Sequence, residues 1–141
     1  MARILGSLNF PRHLGRGLVD AKLMLRDIKS PAIAATTTEP AIEFFPTICD
    51  YFKILVIQRA FTGFTATTEL WTISFEVSDS ANGTFTEIGK KELNGTAKDH
   101  EIAFTGNEIY DILKDSKWMR AKATKTGTSV GNLTYGAFIV W

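Results

Sequence analysis

Histidine, cysteine and clustered carboxylates are the residues of this chain that could do chemistry. His13 and His100 are the only histidines, and they stand in unrelated contexts, one among arginines and glycines and one at the start of an apolar stretch. They form no ligand pair. Cys49 is the single cysteine, which excludes an intrachain disulfide and a cysteine-based zinc site. It lies between Ile48 and Asp50 at the approach to an apolar run, where a small buried hydrophobe is expected rather than a reactive thiol. Asp99 with Glu101, and Asp111 with Asp115, could serve acid–base work as carboxylate pairs, but the same spacings occur on solvated faces. Asp79-Ser80-Ala81-Asn82-Gly83 resembles the opening of a calcium loop, yet no bidentate acid follows to close it, so a hairpin turn is expected. No His-x-x-x-His, Gly-x-Ser-x-Gly or phosphate-binding Gly-x-x-x-x-Gly-Lys-Ser/Thr occurs. Trp118, Arg120, Lys122 and Lys125 approach the aromatic–basic interleaving of a nucleic-acid surface, but a mixed edge strand accounts for them better. The expectation is a protein without catalytic residues, cofactor or metal, and not an enzyme.

Composition narrows the class further. The chain has 141 residues, 45% of them hydrophobic and 11% aromatic, enough for one domain with its own core. A formal charge of +1 supplies no overall attraction to nucleic acid or to an anionic membrane. Asn9, Pro11, Arg12 and several glycines interrupt the start, so neither a signal peptide nor a spanning helix is expected there. With one cysteine, a reducing compartment such as the cytoplasm is expected as the place of synthesis or assembly.

The elements that would position any site read as β. In Leu70–Phe85 (LWTISFEVSDSANGTF), Trp71, Ile73, Phe75 and Val77 alternate with Thr72, Ser74 and Glu76, and Ser78 to Gly83 supply a turn before the return strand. Lys53–Gln58 (KILVIQ) is continuously apolar, as a central strand covered on both faces would be, and Phe61–Thr68 is a loop joining it to a neighbouring Trp71 strand. Ala41–Phe45, Glu87–Leu93, His100–Phe104, Trp118–Thr124 and Leu133–Trp141 are further strands. Leu18–Ile28 fits either helix or strand. Asn107–Leu113 reads as one short helix capped by Asn107, with Glu108 in its first turn and Ile109, Ile112 and Leu113 on its apolar face. Seven or eight strands without repeats predict an antiparallel β-sandwich of jelly-roll type.

Residues 1–17 differ from the rest. Arg3, Arg12 and Arg16 carry +3 before the first acid at Asp20, Gly6, Pro11, Gly15 and Gly17 disfavour a regular element, and Ile4, Leu5, Leu8, Phe10 and Leu14 are apolar enough to seek a surface. The domain plan is therefore an extended basic and apolar arm, 1–17, followed by a sandwich body, 18–141. An adhesive arm is the natural reading, and the alternatives are a frayed terminus or an arm that folds back on its own body.

LVDAKLMLRD near the front, AFTGFTATTELWTISFEVSDSANGTFTEI in the middle and WMRAKATKTGTSVGNLTYGAFIV at the end, in this order and spacing, resemble the tailed-phage capsid cement (decoration) proteins of the Bbp16-like family. The resemblance covers Leu18 to Val140. It implies a jelly-roll virion protein on the outside of an HK97-type shell, bridging neighbouring major capsid proteins, assembled in the host cytoplasm and acting with no nucleic acid or membrane. On that reading Arg3, Leu5, Leu8, Phe10, Arg12 and Arg16 of the arm contact the capsid. A homo-oligomer is expected, a dimer before a trimer, with Phe138, Val140 and Trp141 as a subunit contact unless the last strand is buried in its own core. The alternative is a carbohydrate-binding sandwich of a tail or fibre protein, with Trp71, Trp118 or Trp141 as a sugar platform.

Overall fold

The computed structural model describes residues 19–44 and 51–140. Within them two antiparallel sheets pack face to face with one short helix, an all-β sandwich. The strands are β1 (Val19–Arg26), β2 (Thr37–Thr38), β3 (Ile42–Glu43), β4 (Tyr51–Gln58), β5 (Leu70–Ser78), β6 (Thr86–Leu93), β7 (Lys98–Thr105), β8 (Trp118–Thr126) and β9 (Tyr135–Val140). One sheet, here the β9 sheet, has the order β1-β9-β4-β7. The other, the β5 sheet, has the order β2-β8-β5-β6, with β3 also paired to β8.

Alternation decides which side chains enter the core. Trp71, Ile73, Phe75 and Val77 of β5 and Met119, Ala121 and Ala123 of β8 meet Phe52, Ile54 and Val56 of β4 and Tyr135, Ala137 and Ile139 of β9, all fully buried. Aromatic edges lock one end of this layer, with the Phe52 ring 5.9 Å from Phe104 and 6.3 Å from Phe44. A buried ion pair between Arg26 and Glu39 ties the end of β1 to the segment after β2, so it spans the two sheets.

Two expectations are corrected and a third element, left open by its spacing, is decided. β4 and β5 are not neighbours in a sheet: the residues between them carry the chain from the β9 sheet to the β5 sheet. The leading segment of undecided type is strand β1, because pairing with β9 overrides its mixed spacing. The helix, α1 (Gly106–Ile112), begins one residue earlier than Asn107, and its cap is Thr105. Thr105 Oγ1 accepts from the Glu108 N–H at 3.2 Å while Glu108 Oε2 accepts from the Thr105 N–H at 2.7 Å, a reciprocal capping box that uses the hydroxyl already placed by β7. Of the helix's apolar residues Ile109 is buried, whereas Ile112 is exposed.

Candidate functional site

The residues singled out for chemistry are scattered over the sandwich. His100 points into the core from β7, its Nε2 2.9 Å from Gln58 Oε1. Burial, then the charges of Lys91 and Lys98, hold its ionisation below the ordinary value of 6.5, which favours the neutral ring. Asp99 and Glu101 stand on the outward face of β7, Glu101 3.3 Å from Lys53 Nζ, and Asp111 on α1 and Asp115 just after it are exposed. The Asp79–Gly83 stretch is a turn, closed by the Gly83 N–H donating to Ser80 O at 3.2 Å. Among the described residues no group of three or more His, Cys, Asp or Glu could hold a metal ion, and no helix is long and apolar enough to cross a membrane.

The basic–aromatic run, expected on an edge strand, lies on β8, which is internal to its sheet with β2 and β3 on one side and β5 on the other, and it is engaged within the fold. Arg120 Nε donates to Glu76 Oε1 at 2.7 Å and its guanidinium lies 3.9 Å from the Phe85 ring centre, while Lys125 Nζ donates to Ala34 O at 3.1 Å. Trp71 is 0% exposed and its indole N–H donates to Gly131 O at 2.8 Å, which removes it as a sugar platform; Trp118 is half-buried on the outward face. Phe138 and Val140 lie in β9 between β1 and β4 and are 8% and 1% exposed within the single chain. Arg3, Leu5, Leu8, Phe10, Arg12, Arg16 and Trp141, together with His13 and Cys49, lie outside the described residues.

What the structure does assemble is a rigid end of the sandwich, made where the β4–β5 crossing meets the β8–β9 connection. Thr65 and Glu69 exchange backbone hydrogen bonds at 2.8 and 2.9 Å around a tight turn, and that turn holds Thr67 at φ 69°. A β-branched residue in the left-handed region is strained, and such strain persists only where surrounding contacts over-determine it. The Glu69 side chain fastens that turn to the β8–β9 connection: its carboxylate accepts from the N–H groups of Thr128, Ser129 and Val130 at 3.2, 2.7 and 3.0 Å. Desolvation opposes the charge, but these donors, foremost Ser129, and then Lys125 outweigh it and keep the carboxyl below its ordinary value of 4.5. The Gly131 N–H donates to Thr62 O at 2.8 Å and the Phe61 N–H to Gly95 O at 3.0 Å, pinning the loop at two more points. Gly63, at φ +78°, fits against this clasp because a Cβ there would lie 2.3 Å from Ser129 O.

The clasp presents Phe64, 41% exposed, at the rim of a cavity of about 220 Å³ lined by Phe64, Ala66, Thr67, Leu70, Glu92 and Leu93. At the opposite end of the sandwich, where β4 begins and β7 runs into α1, Tyr51 of β4 (57% exposed) and Tyr110 and Ile112 of α1 are exposed. Such surfaces suit binding by aromatic contact. Sequence reading marked Phe61–Thr68 only as a loop. Gly63 on one loop and Gly127 on the other are the visible trace of the clasp, but no local pattern pairs Glu69 with amides some sixty residues away. No protein-family model matches the chain, and no curated protein matches it significantly.

Proposed function

We propose that this chain is a capsid cement protein, bound to the outside of an HK97-type shell and bridging neighbouring major capsid proteins. The observation that carries the reading is the pair of exposed aromatic surfaces, Phe64 on its clasped loop and Tyr51 with Tyr110 on the helix side, at opposite ends of one rigid sandwich. An eight-residue strand separates them by about 25 Å, so one molecule could touch two subunits of a lattice. A rigid loop loses little entropy on binding, which suits a non-catalytic adhesive role.

The strand order supports the finer reading of the sandwich as a jelly roll. With β2 and β3 counted as the two halves of one interrupted strand, the described residues form eight strands, and the first pairs the last, the second the seventh, the third the sixth and the fourth the fifth. That is one long hairpin rolled into two sheets, the architecture of many capsid domains.

The mechanism is linkage. A protein that binds only the assembled lattice stabilises it by RT ln(1 + [L]/Kd) per site, about 2.7 kcal/mol at a hundredfold excess over Kd, repeated over every site. The arm residues Arg3 to Arg16 add contacts to the shell only where they are free of the chain's own body, with forked arginine hydrogen bonds to acidic shell residues. The deciding experiment is co-sedimentation with expanded and unexpanded shells built from the major capsid protein of the same genome. Binding to expanded shells, reduced by Phe64→Ala and by deletion of residues 1–17, is expected; failure to bind either shell overturns the reading. The partner on this view is the major capsid protein and a second copy of the chain, a dimer before a trimer. The carbohydrate-binding alternative now rests on half-buried Trp118 among the described residues, and a glycan array that lights up for the wild type and fades for Trp118→Ala would favour it instead.

A further inference from the structure

We infer that the outward face of the β9 sheet is the docking site of the chain's own N-terminal segment, residues 1–18. Register places Leu55 beside Phe138, and Lys53 beside Val140, on the side of the sheet turned away from the core. Leu55 and Phe138 pack in none of the inter-sheet cluster, yet they and Val140 are 3%, 8% and 1% exposed. An outward sheet face open to water would leave such side chains accessible, so a layer of the same chain covers them. Of the described residues Ile28 reaches this face at one corner, where a Cβ on Gly136 would lie 2.9 Å from the Ile28 Cβ.

The N-terminal segment fits the remainder by position, length and chemistry. It enters the fold at Val19, the register partner of Val140, and so starts at the margin of this face. Eighteen residues can extend to about 60 Å, several times the width of a four-stranded sheet with strands about 4.8 Å apart. Ile4, Leu5, Leu8, Phe10 and Leu14 match the apolar centre, and Arg3, Arg12 and Arg16 match the far margin on β7, where Asp99 and Glu101 stand. Residues 45–50 are a poorer cover: they join buried Phe44 to the start of β4, and so few residues tethered at both ends cannot reach the row of Ile57 and Gly136.

This inference does not depend on the cement reading, since the face needs its cover whether or not a shell is bound. The test places the photo-crosslinker p-benzoylphenylalanine at position 10 in the full-length protein, mixes isotopically light and heavy chains, and maps the products by mass spectrometry. Cross-links within one chain, from position 10 to the peptides of β4 or β9, are expected. Cross-links between chains, to other strands, or none at all would overturn it. Deleting residues 1–17 gives a second readout: binding of a hydrophobic dye rises severalfold and the shortened protein self-associates, while an unchanged dye signal from a folded, monomeric product contradicts the inference. Loss of shell binding without either change would instead assign the arm to the capsid.

Discussion

β4 and β5 follow one another in the sequence and face each other across the core, but their outward sides are built differently. β4 runs Tyr51 to Gln58 with Leu55 and Ile57 turned outward, and beside it β9 sends out Gly136, Phe138 and Val140. β5 sends out Thr72, Ser74 and Glu76, and beside it β8 sends out Arg120, Lys122 and Thr124. On the β5 sheet Arg120 lies over the pleat, reaching Glu76 and the Phe85 ring, and buried Ser74 donates its hydroxyl to Lys122 O at 3.4 Å. One sheet is therefore a middle layer with apolar residues on both sides, and the other an outer wall with one wet side. The difference separates the part of the molecule that must be covered from the part that can meet solvent unaided.

The largest effect that tests this contrast is a pair of truncations on the two outward faces. Phe138→Ala should cost about 3–5 kcal/mol of unfolding free energy in a denaturant titration, as for a core aromatic. Lys122→Ala, on the corresponding face of the β5 sheet, should stay within about 0.5 kcal/mol of the wild type. Equal costs for the two would break the distinction, because it requires that burial at Phe138 be apolar and complete.

This contrast was legible in the residues. KILVIQ and GAFIV are continuous apolar runs, and a strand can be apolar at every position only when both of its faces are covered; LWTISFEV and WMRAKAT alternate, and alternation leaves one face for water. Sheet membership was not legible in the same way. Hairpin pairing of β5 with β6 is set by a local turn, but whether β4 pairs with β5 or crosses to the other sheet depends on the loop between them, and Phe61–Thr68 carries no turn signature that distinguishes the two. The cap of α1 was misplaced by two residues because Asn107 and Thr105 both carry capping oxygens, and only the backbone of β7 decides which one meets the free amides. The candidate surface was least visible of all. Phe64 reads as one more apolar loop residue until the carboxylate of Glu69 is seen to fasten the loop to residues 128–130.

A smaller effect sharpens the description of the polar wall. The Arg120–Glu76 pair is partly exposed, so a double-mutant cycle of Arg120→Ala and Glu76→Ala should return a coupling of about 0.2–1 kcal/mol that shrinks with added salt. A coupling several times larger and insensitive to salt would mean that this face is as dry as its counterpart. The buried Arg26–Glu39 pair, which joins the two sheets, is the internal standard: Glu39→Ala strands a guanidinium that is 8% exposed as a residue, and about 3–5 kcal/mol is expected for breaking such a pair from one side.

The smallest effect concerns the clasp, where the crossing from β4 to β5 is held against the β8–β9 connection. Glu69 binds its proton less readily in the folded chain than in the unfolded one, since three amide N–H groups and Lys125 favour the carboxylate. As pH falls, the unfolded chain takes up that proton first, around 4.5, so the stabilisation that Glu69 provides is complete above this value and is lost as pH drops through the lower folded value. The wild type and Glu69→Gln should therefore differ in stability at neutral pH and converge in acid. The amide resonances of Thr128, Ser129 and Val130 should titrate with a midpoint below 4.5 in the wild type and lose that transition in Glu69→Gln. A midpoint at or above the ordinary value would mean that these amides do not hold the carboxylate, and the loop that carries Thr67 and Phe64 would then be held by its backbone bonds alone, Thr65 to Glu69, Gly131 to Thr62 and Phe61 to Gly95. Its rigidity as a binding surface would be weakened, and the weight of the two-ended reading would shift to the Tyr51 side.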